Sequence, residues 1–348
     1  MKRLMAILSC LAAVAWVSGA LANSGASPAR ARMAAAAEAL LDSMDDAMRE
    51  RMQFAFDGSQ RRDWHYIPRE RHGVNLGELD GLQARAAHEL LRSALSDGGY
   101  LKAHGVMLLE EILHEALPEE QRRRGARDPG LYSLAIYGDP DPVAPWAWRI
   151  EGHHMSLNFT SVESELLIPT PFFMGAEPAE AKEGKRAGLR VLANEIDLAR
   201  ELLASLDEKQ REVAVLFAEA PGDILLGPGR DEGLESAQGL PAADMRPQQR
   251  ALLIALIGVY LGNWRQDVAA REWRRIESAG IDGVRFAWAG AEDLASRHYY
   301  RVHGPHFVIE YDSVRPHGNH VHSIWRDLEN DFGGDLLREH LERDHSDR

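Results

Sequence analysis

Cysteine is almost absent. The chain of 348 residues has one, Cys10, and it lies in an N-terminal segment expected to be removed. Without it the protein has no disulfide, no thiolate nucleophile and no cysteine-based zinc site. Positive charge is also short, with 40 Lys and Arg against 54 Asp and Glu, a net charge of −14. Nonspecific binding to nucleic acid or to an anionic membrane needs basic patches, so no nucleic-acid partner is expected. Beyond the N-terminal segment no apolar run is long enough to cross a bilayer, and no integral span is expected. There is no internal repeat and no low-complexity tract, which excludes solenoid architectures. Hydrophobic residues at 45% and charged residues at 27% describe a globular chain long enough to bury its own core.

The first segment reads as an address. Met1-Lys2-Arg3 is basic, Leu4 to Val17 is apolar, and Ala20-Leu21-Ala22 has the small-x-small form of a cleavage site. That is the layout of a secretory signal peptide over residues 1–22, followed by a flexible leader over residues 23–33. Ile7-Leu8-Ser9-Cys10 faintly resembles a lipidation box, but it comes very early. Cleavage would leave 38 basic against 54 acidic residues, a charge of −16, in the periplasm or outside the cell.

Residues 34–345 are expected to form a single large α+β domain. Apolar residues at three- and four-residue spacing predict helices over 34–52, 76–95, 100–117, 189–206, 208–218, 247–261 and 267–278. Asp97-Gly98-Gly99 would join the second and third of these. Pro221 to Pro247, rich in Gly, Pro and charge, reads as a long surface loop. Strand-like segments gather in 132–168 and 284–325. Grouped strands without strand-by-strand helical crossovers predict a mostly antiparallel sheet packed with amphipathic helices.

Within those strands lies a recognisable series: Trp146-x-Trp148-Arg149-x-x-Gly152-His153-His154-x-Ser156-Leu157-Asn158, then Pro169-x-Pro171-Phe172-x-x-Gly175-Ala176, Phe286-Ala287-Trp288-Ala289-Gly290, Ile309-Glu310-Tyr311-Asp312, His320-x-His322-x-x-Trp325-Arg326-Asp327 and Asp331-Phe332-Gly333. In that order it resembles the bacterial domain-of-unknown-function family 3500, over about residues 52–340. The resemblance implies one family-wide fold in an extracytoplasmic protein. It implies no activity, substrate or site, so function has to come from the residues.

Histidine is what this sequence has in quantity. Eight of its fifteen lie at or after His298, and two more form the doublet His153-His154. In a mature chain without cysteine, His with Asp or Glu is the strong route to a divalent transition metal. Strand parity puts Met155, Leu157 and Phe159 on the core face and His154, Ser156, Asn158 and Thr160 on the other, with His153 at the core edge. A hairpin turning at Gly304-Pro305, with positive φ at the glycine, would pair His303 with His306, Arg301 with Val308 and Tyr299 with Glu310. A loop two residues longer would keep the same faces. His320 and His322 project from one face of an extended segment. They are the expected nitrogen ligands of a metal centre, with a third from His153, His154 or Glu310. Arg326 or Arg149 would grip an anionic group of a substrate.

Three readings stay open at this point. A metal-dependent enzyme, hydrolytic or oxidative, would act on a small molecule, with Glu310, Arg326, Arg149 and Ser156 as its catalytic set. A non-enzymatic periplasmic protein would bind a metal or a small molecule. The histidines could instead be structural, each bonded to a nearby carboxylate, or one of His154 and His322 could do metal-free acid–base work oriented by Glu151, Glu310 or Asp327. Ser156 lacks the G-x-S-x-G elbow of a serine hydrolase, and Asp331-Phe332-Gly333 lacks the companions of a kinase motif; it reads as a turn before a helix over 335–341. Trp64, Trp146, Trp148, Trp288 and Trp325 read as core, or more sharply as pocket walls.

Overall fold

The computed structural model describes residues 28–123, 127–162, 167–230, 234 and 236–334. The signal segment and the expected helix over 335–341 lie outside them. The helices are α1 Pro28–Asp42, α2 Asp46–Met52, α3 Gly81–Ala94, α4 Asp97–Ala116, α5 Glu119–Arg123, α6 Ala193–Ser205, α7 Glu208–Ala214, α8 Pro247–Leu261 and α9 Gln266–Ala279. The strands are β1 Gln53–Phe54, β2 Val74–Asn75, β3 Ser133–Tyr137, β4 Trp146–Gly152, β5 Met155–Ser161, β6 Leu167–Ile168, β7 Phe172–Ala176, β8 Val215–Phe217, β9 Leu240–Pro241, β10 Arg285–Gly290, β11 His298–His303, β12 Phe307–Ser313 and β13 Val321–Asp327.

All thirteen strands belong to one sheet, in the order β1-β3-β4-β5-β7-β13-β12-β11-β10-β8, with β2, β6 and β9 as side pairs. Among the described residues only β1–β3 and β8–β10 pair in parallel. The fold is α+β with a mostly antiparallel sheet. One strand that periodicity did not predict holds it together: β7 pairs with β5 on one side and β13 on the other, welding the two strand clusters into one sheet. Pro169 and Pro171 mask it in the sequence, and the strand starts directly after them.

Parity sorts the side chains. Met155, Leu157, Phe159, Phe172, Met174 and Trp325 share the main core with Val106, Leu109, Leu256 and Tyr260 from the helices and Trp264 from the α8–α9 connection. The opposite face is not left to water. Trp64, Tyr66 and Ile224 from loops, with Phe332, bury Phe173 and Ile324 on that side. The sheet therefore lies between a helical layer and a layer of irregular chain. The five tryptophans named above are at most 2% exposed, the core reading.

Six local expectations need correction. Residues 28–33, expected as leader, form the first turns of α1, with Arg30 and Met33 buried. The helix expected over 34–52 breaks into α1 and α2, and Asp45 caps the second by accepting from Met48 N–H. Gly98 and Gly99 belong to α4, not to a linker; Ser96 caps it, and a Cβ at Gly99 would strike the Asn263 backbone. The stretch expected as a surface loop over 221–247 is docked at two places among its described residues, because Ile224 and Leu226 are buried against the sheet and Leu240–Pro241 pairs with β10. The β11–β12 hairpin pairs His303 with Val308, Arg301 with Glu310 and Tyr299 with Asp312, a two-residue shift that keeps the faces. Gly304 has no positive φ; a Cβ there would run into the Phe307 ring, so close approach is what requires glycine.

Candidate metal centre

Three chain segments meet at one end of the central strands. The turn between β4 and β5 carries His153 and His154, the end of β7 carries Gly175 and leads to Glu177, and the start of β13 carries His322 just after His320. Register puts Gly175 directly opposite His322. His154 Nε2 lies 2.8 Å from His320 Nε2, which lies 3.2 Å from His322 Nε2. For comparison, ligand nitrogens around a tetrahedral zinc ion sit roughly 3.4 Å apart.

The backbone is bent to bring His154 there. Its φ is +62°, a left-handed conformation that costs a non-glycine residue on the order of 1 kcal/mol. Two hydrogen bonds hold it: His154 N–H donates to Tyr66 O at 2.9 Å, and Gly175 N–H donates to His154 O at 2.7 Å. Glycine at 175 leaves room for the rings, since a Cβ would come within 3.1 Å of Cδ2 of both His154 and His322 and 2.9 Å of Val321 O. Gly175→Ala is therefore expected to push the imidazoles apart and weaken metal binding several-fold, on the order of 1 kcal/mol. Competition titration with a chromophoric chelator measures this; unchanged affinity would mean that the imidazole cluster is not where metal binds.

Carboxylates stand behind two of the rings. Asp223 Oδ1 is 2.8 Å from His322 Nδ1. Glu177 Oε1 is 3.2 Å from His320 Nδ1, at ion-pair distance but off the angle of a hydrogen bond. The Asp223 contact assigns the ring proton of His322 to Nδ1, which turns the lone pair of its Nε2 inward. A lone pair on His320 Nε2, 3.2 Å away, would repel it unless a positive charge lay between them. A metal-free network lets His154 donate to His320 but leaves His322 facing the same lone pair. Burial, reinforced by the neighbouring imidazoles, pushes His154 well below the usual imidazole range, and burial also lowers His322 against the pull of Asp223. Both are neutral donors at neutral pH, the form a metal takes. Burial opposes the ionised form of Glu177, but His320 and Arg127 outweigh it and hold the carboxyl at about 2. Asp312, paired across strands with His322, moves the other way: burial and the charge of Asp223 push it up to about 7.

Further groups complete the surroundings. Tyr66 O–H donates to Asp223 Oδ2 at 2.9 Å, with its ring stacked on Phe173 and edge-on to His322. His153 packs ring to ring on His154, with centroids 3.6 Å apart, and bonds Glu110 and the Arg127 guanidinium. Glu110, His153 and His154 make a second group with metal-ligand spacing, but the guanidinium of Arg127 already supplies positive charge there.

The centre thus unites His154, His320 and His322, with His153 one ring removed. The four residues expected as catalytic do not converge on it. Glu310 is fully buried and accepts from Leu225 N–H, Leu226 N–H and Tyr299 O–H. Arg326 binds Asp331 and donates to Leu226 O. Arg149 pairs with Glu151 and donates to Gln60 O and Arg61 O. Ser156 donates to Glu151 and accepts from Asn158. Glu310, Arg326 and Arg149 hold loop backbone against the sheet and Ser156 bonds neighbouring strand side chains, uses that strand parity alone does not separate from catalysis. The groups that sequence reasoning missed are Asp223, Glu177, Tyr66 and Arg127. Glu177 follows Gly175-Ala176 directly, a usable signal; Asp223 was hidden by the surface-loop reading of its segment.

These features define an α+β protein whose buried histidine and glutamate groups can hold a metal ion. No helix among the described residues is long and apolar enough to cross a membrane. The chain belongs to the family described as a protein of unknown function (DUF3500), whose model matches residues 27–334. No curated protein and no solved structure matches it.

Proposed function

We propose that this protein is an extracytoplasmic metal-dependent enzyme, hydrolytic or oxidative, acting on a small molecule, with His154, His320 and His322 as ligands of one divalent transition metal. The observation that carries this is the convergence of three buried imidazoles through Nε2, with carboxylates of Asp223 and Glu177 facing Nδ1 of two of them. Three imidazoles with carboxylates behind them is the donor set of catalytic zinc and related sites, which keep one position for water or substrate. When bound, such an ion acts as a Lewis acid toward water or a substrate oxygen. The chain's own groups divide the remaining work: Asp223 and Glu177 orient the ligands, and Tyr66 holds Asp223. Residues 1–22 are taken as the export signal, on their basic start, apolar run and small residues before the cleavage point.

Metal analysis of the purified protein is expected to give about one equivalent per chain. Readdition to chelator-treated protein should raise unfolding free energy by about 2.7 kcal/mol at a hundredfold excess over Kd. Metal content near zero after saturation and desalting would remove the proposal. The depth of the imidazoles, 2–7% exposed, also favours a second reading, a carrier with a closed ligand set. Azide added to the cobalt-substituted protein separates the two: an enzyme with an open position changes its visible spectrum, and a closed carrier does not.

A further inference from the structure

A cleft of about 510 Å³ opens beside the centre, with His153 and Arg127 in its wall. Its size suits a small molecule. Four guanidiniums line it, Arg51, Arg69, Arg71 and Arg127, against three carboxylates, Glu70, Glu110 and Asp128. In a chain of net charge −14, four guanidiniums gathered in one wall are a local concentration of cations, each with a carboxylate partner. The carboxylates that pair with three of these arginines are not in the wall. Glu78 holds Arg51, Asp63 holds Arg69 with both oxygens, and Glu151 holds Arg71. They fix where the guanidiniums point and take no space in the cleft.

Arg127 links this wall to the metal centre. Its guanidinium donates to His153 Nε2 at 2.7 Å and reaches Glu177 at 3.4 Å, and Glu177 is the carboxylate behind His320. His153 in turn lies against His154. A ligand group bound at Arg127 is thus separated from two of the three imidazoles by a single side chain. We infer that the substrate carries an oxyanion, carboxylate or phosphate, which this cleft binds with Arg127 as the anchor that presents the rest of the molecule to the three-histidine centre. The catalytic meaning of this inference rests on the metal reading; the binding itself does not.

Calorimetric titration of the purified protein, chelator-treated and metal-loaded, with inorganic phosphate and separately with succinate tests it. Saturable binding of one anion per chain is expected in both forms, and the tighter of the two names the oxyanion. Arg127→Ala should weaken it at least about tenfold and Arg51→Ala about threefold, while Arg127→Lys retains part of the affinity because a point charge replaces a two-pronged donor. Arg211→Ala, which breaks an exposed pair with Glu292 outside the cleft, should leave the anion affinity within about twofold of the parent. Absence of saturable binding by either anion overturns the inference. So does binding that appears only with metal and is indifferent to both Arg127 and Arg51, since the anion would then be a ligand of the metal alone. Metal uptake without anion binding leaves the centre standing and removes the cleft; anion binding without metal uptake does the reverse.

Discussion

Replacing His320 and His322 together by alanine is expected to reduce bound divalent metal from about one equivalent per chain to almost none, with the fold retained. Two of three donors disappear, and His154 alone is left as a single imidazole, a weak ligand. The fold should survive because the two rings sit at the rim of the sheet, where the start of β13 meets the end of β7, while Val321, Ser323 and Trp325 on the other face keep their packing and hydrogen bonds. Circular dichroism checks the fold and mass spectrometry the metal. The same pair of measurements on Asp223→Asn gives a graded companion. That change keeps the size of the side chain but removes the charge that fixes the His322 tautomer, and affinity should fall about 10- to 100-fold. If the double variant holds as much metal as the parent, the centre lies elsewhere and the lone-pair reasoning fails with it.

How much of this was legible in the chain differs between fold and site. The α+β class was, because helical spacing and two-residue alternation are local properties, and the alternation through Met155, Leu157 and Phe159 already separates core from polar face. So was the prospect that His153-His154 and His320-x-His322 meet, since both flank strands of one antiparallel sheet. The partners of those imidazoles were not legible. Asp223 arrives from a stretch of Gly, Pro and charge whose composition marks a surface loop, yet Ile224 and Leu226 beside it are buried and draw the aspartate onto the sheet. Composition reports the average of a segment, whereas docking depends on two apolar residues within it. The polar face posed the complementary problem. Parity says that Arg149, Ser156, Glu310 and Arg326 turn away from the helical core, and a polar row turned away from the core reads as wet or functional. It became buried because loops cover it, so its charges serve as clamps. A sheet buried on both faces by unlike layers is what a two-face reading misses.

Glu310→Ala tests that clamp reading, and its expected result is loss of stability, not of chemistry. The carboxylate has no exposure and receives two amide N–H groups, from Leu225 at 2.7 Å and Leu226 at 2.8 Å, and the Tyr299 hydroxyl at 2.8 Å. Arg301 faces it across the β11–β12 pair and is itself 2% exposed, with Nε and Nη2 lacking hydrogen-bond partners. Burial raises the Glu310 carboxyl above its ordinary value, while the two amides, Tyr299 and Arg301 pull it down. Alanine would strand three donors, two of them buried, at about 1–3 kcal/mol each, and remove a negative charge that faces the buried Arg301. These overlap, so the net is expected near 3–5 kcal/mol in denaturant unfolding, enough to make the variant marginal. Glu310→Gln keeps the acceptor oxygen for the loop amides and should lose less, though Arg301 stays uncompensated. In whatever fraction folds, metal should still be taken up at saturation, because His154, His320 and His322 do not touch this carboxylate, although affinity should fall to the extent that the loop carrying Asp223 loosens. A Glu310→Ala variant of parental stability that had lost its metal would instead restore Glu310 as the third ligand and displace His154 from that place.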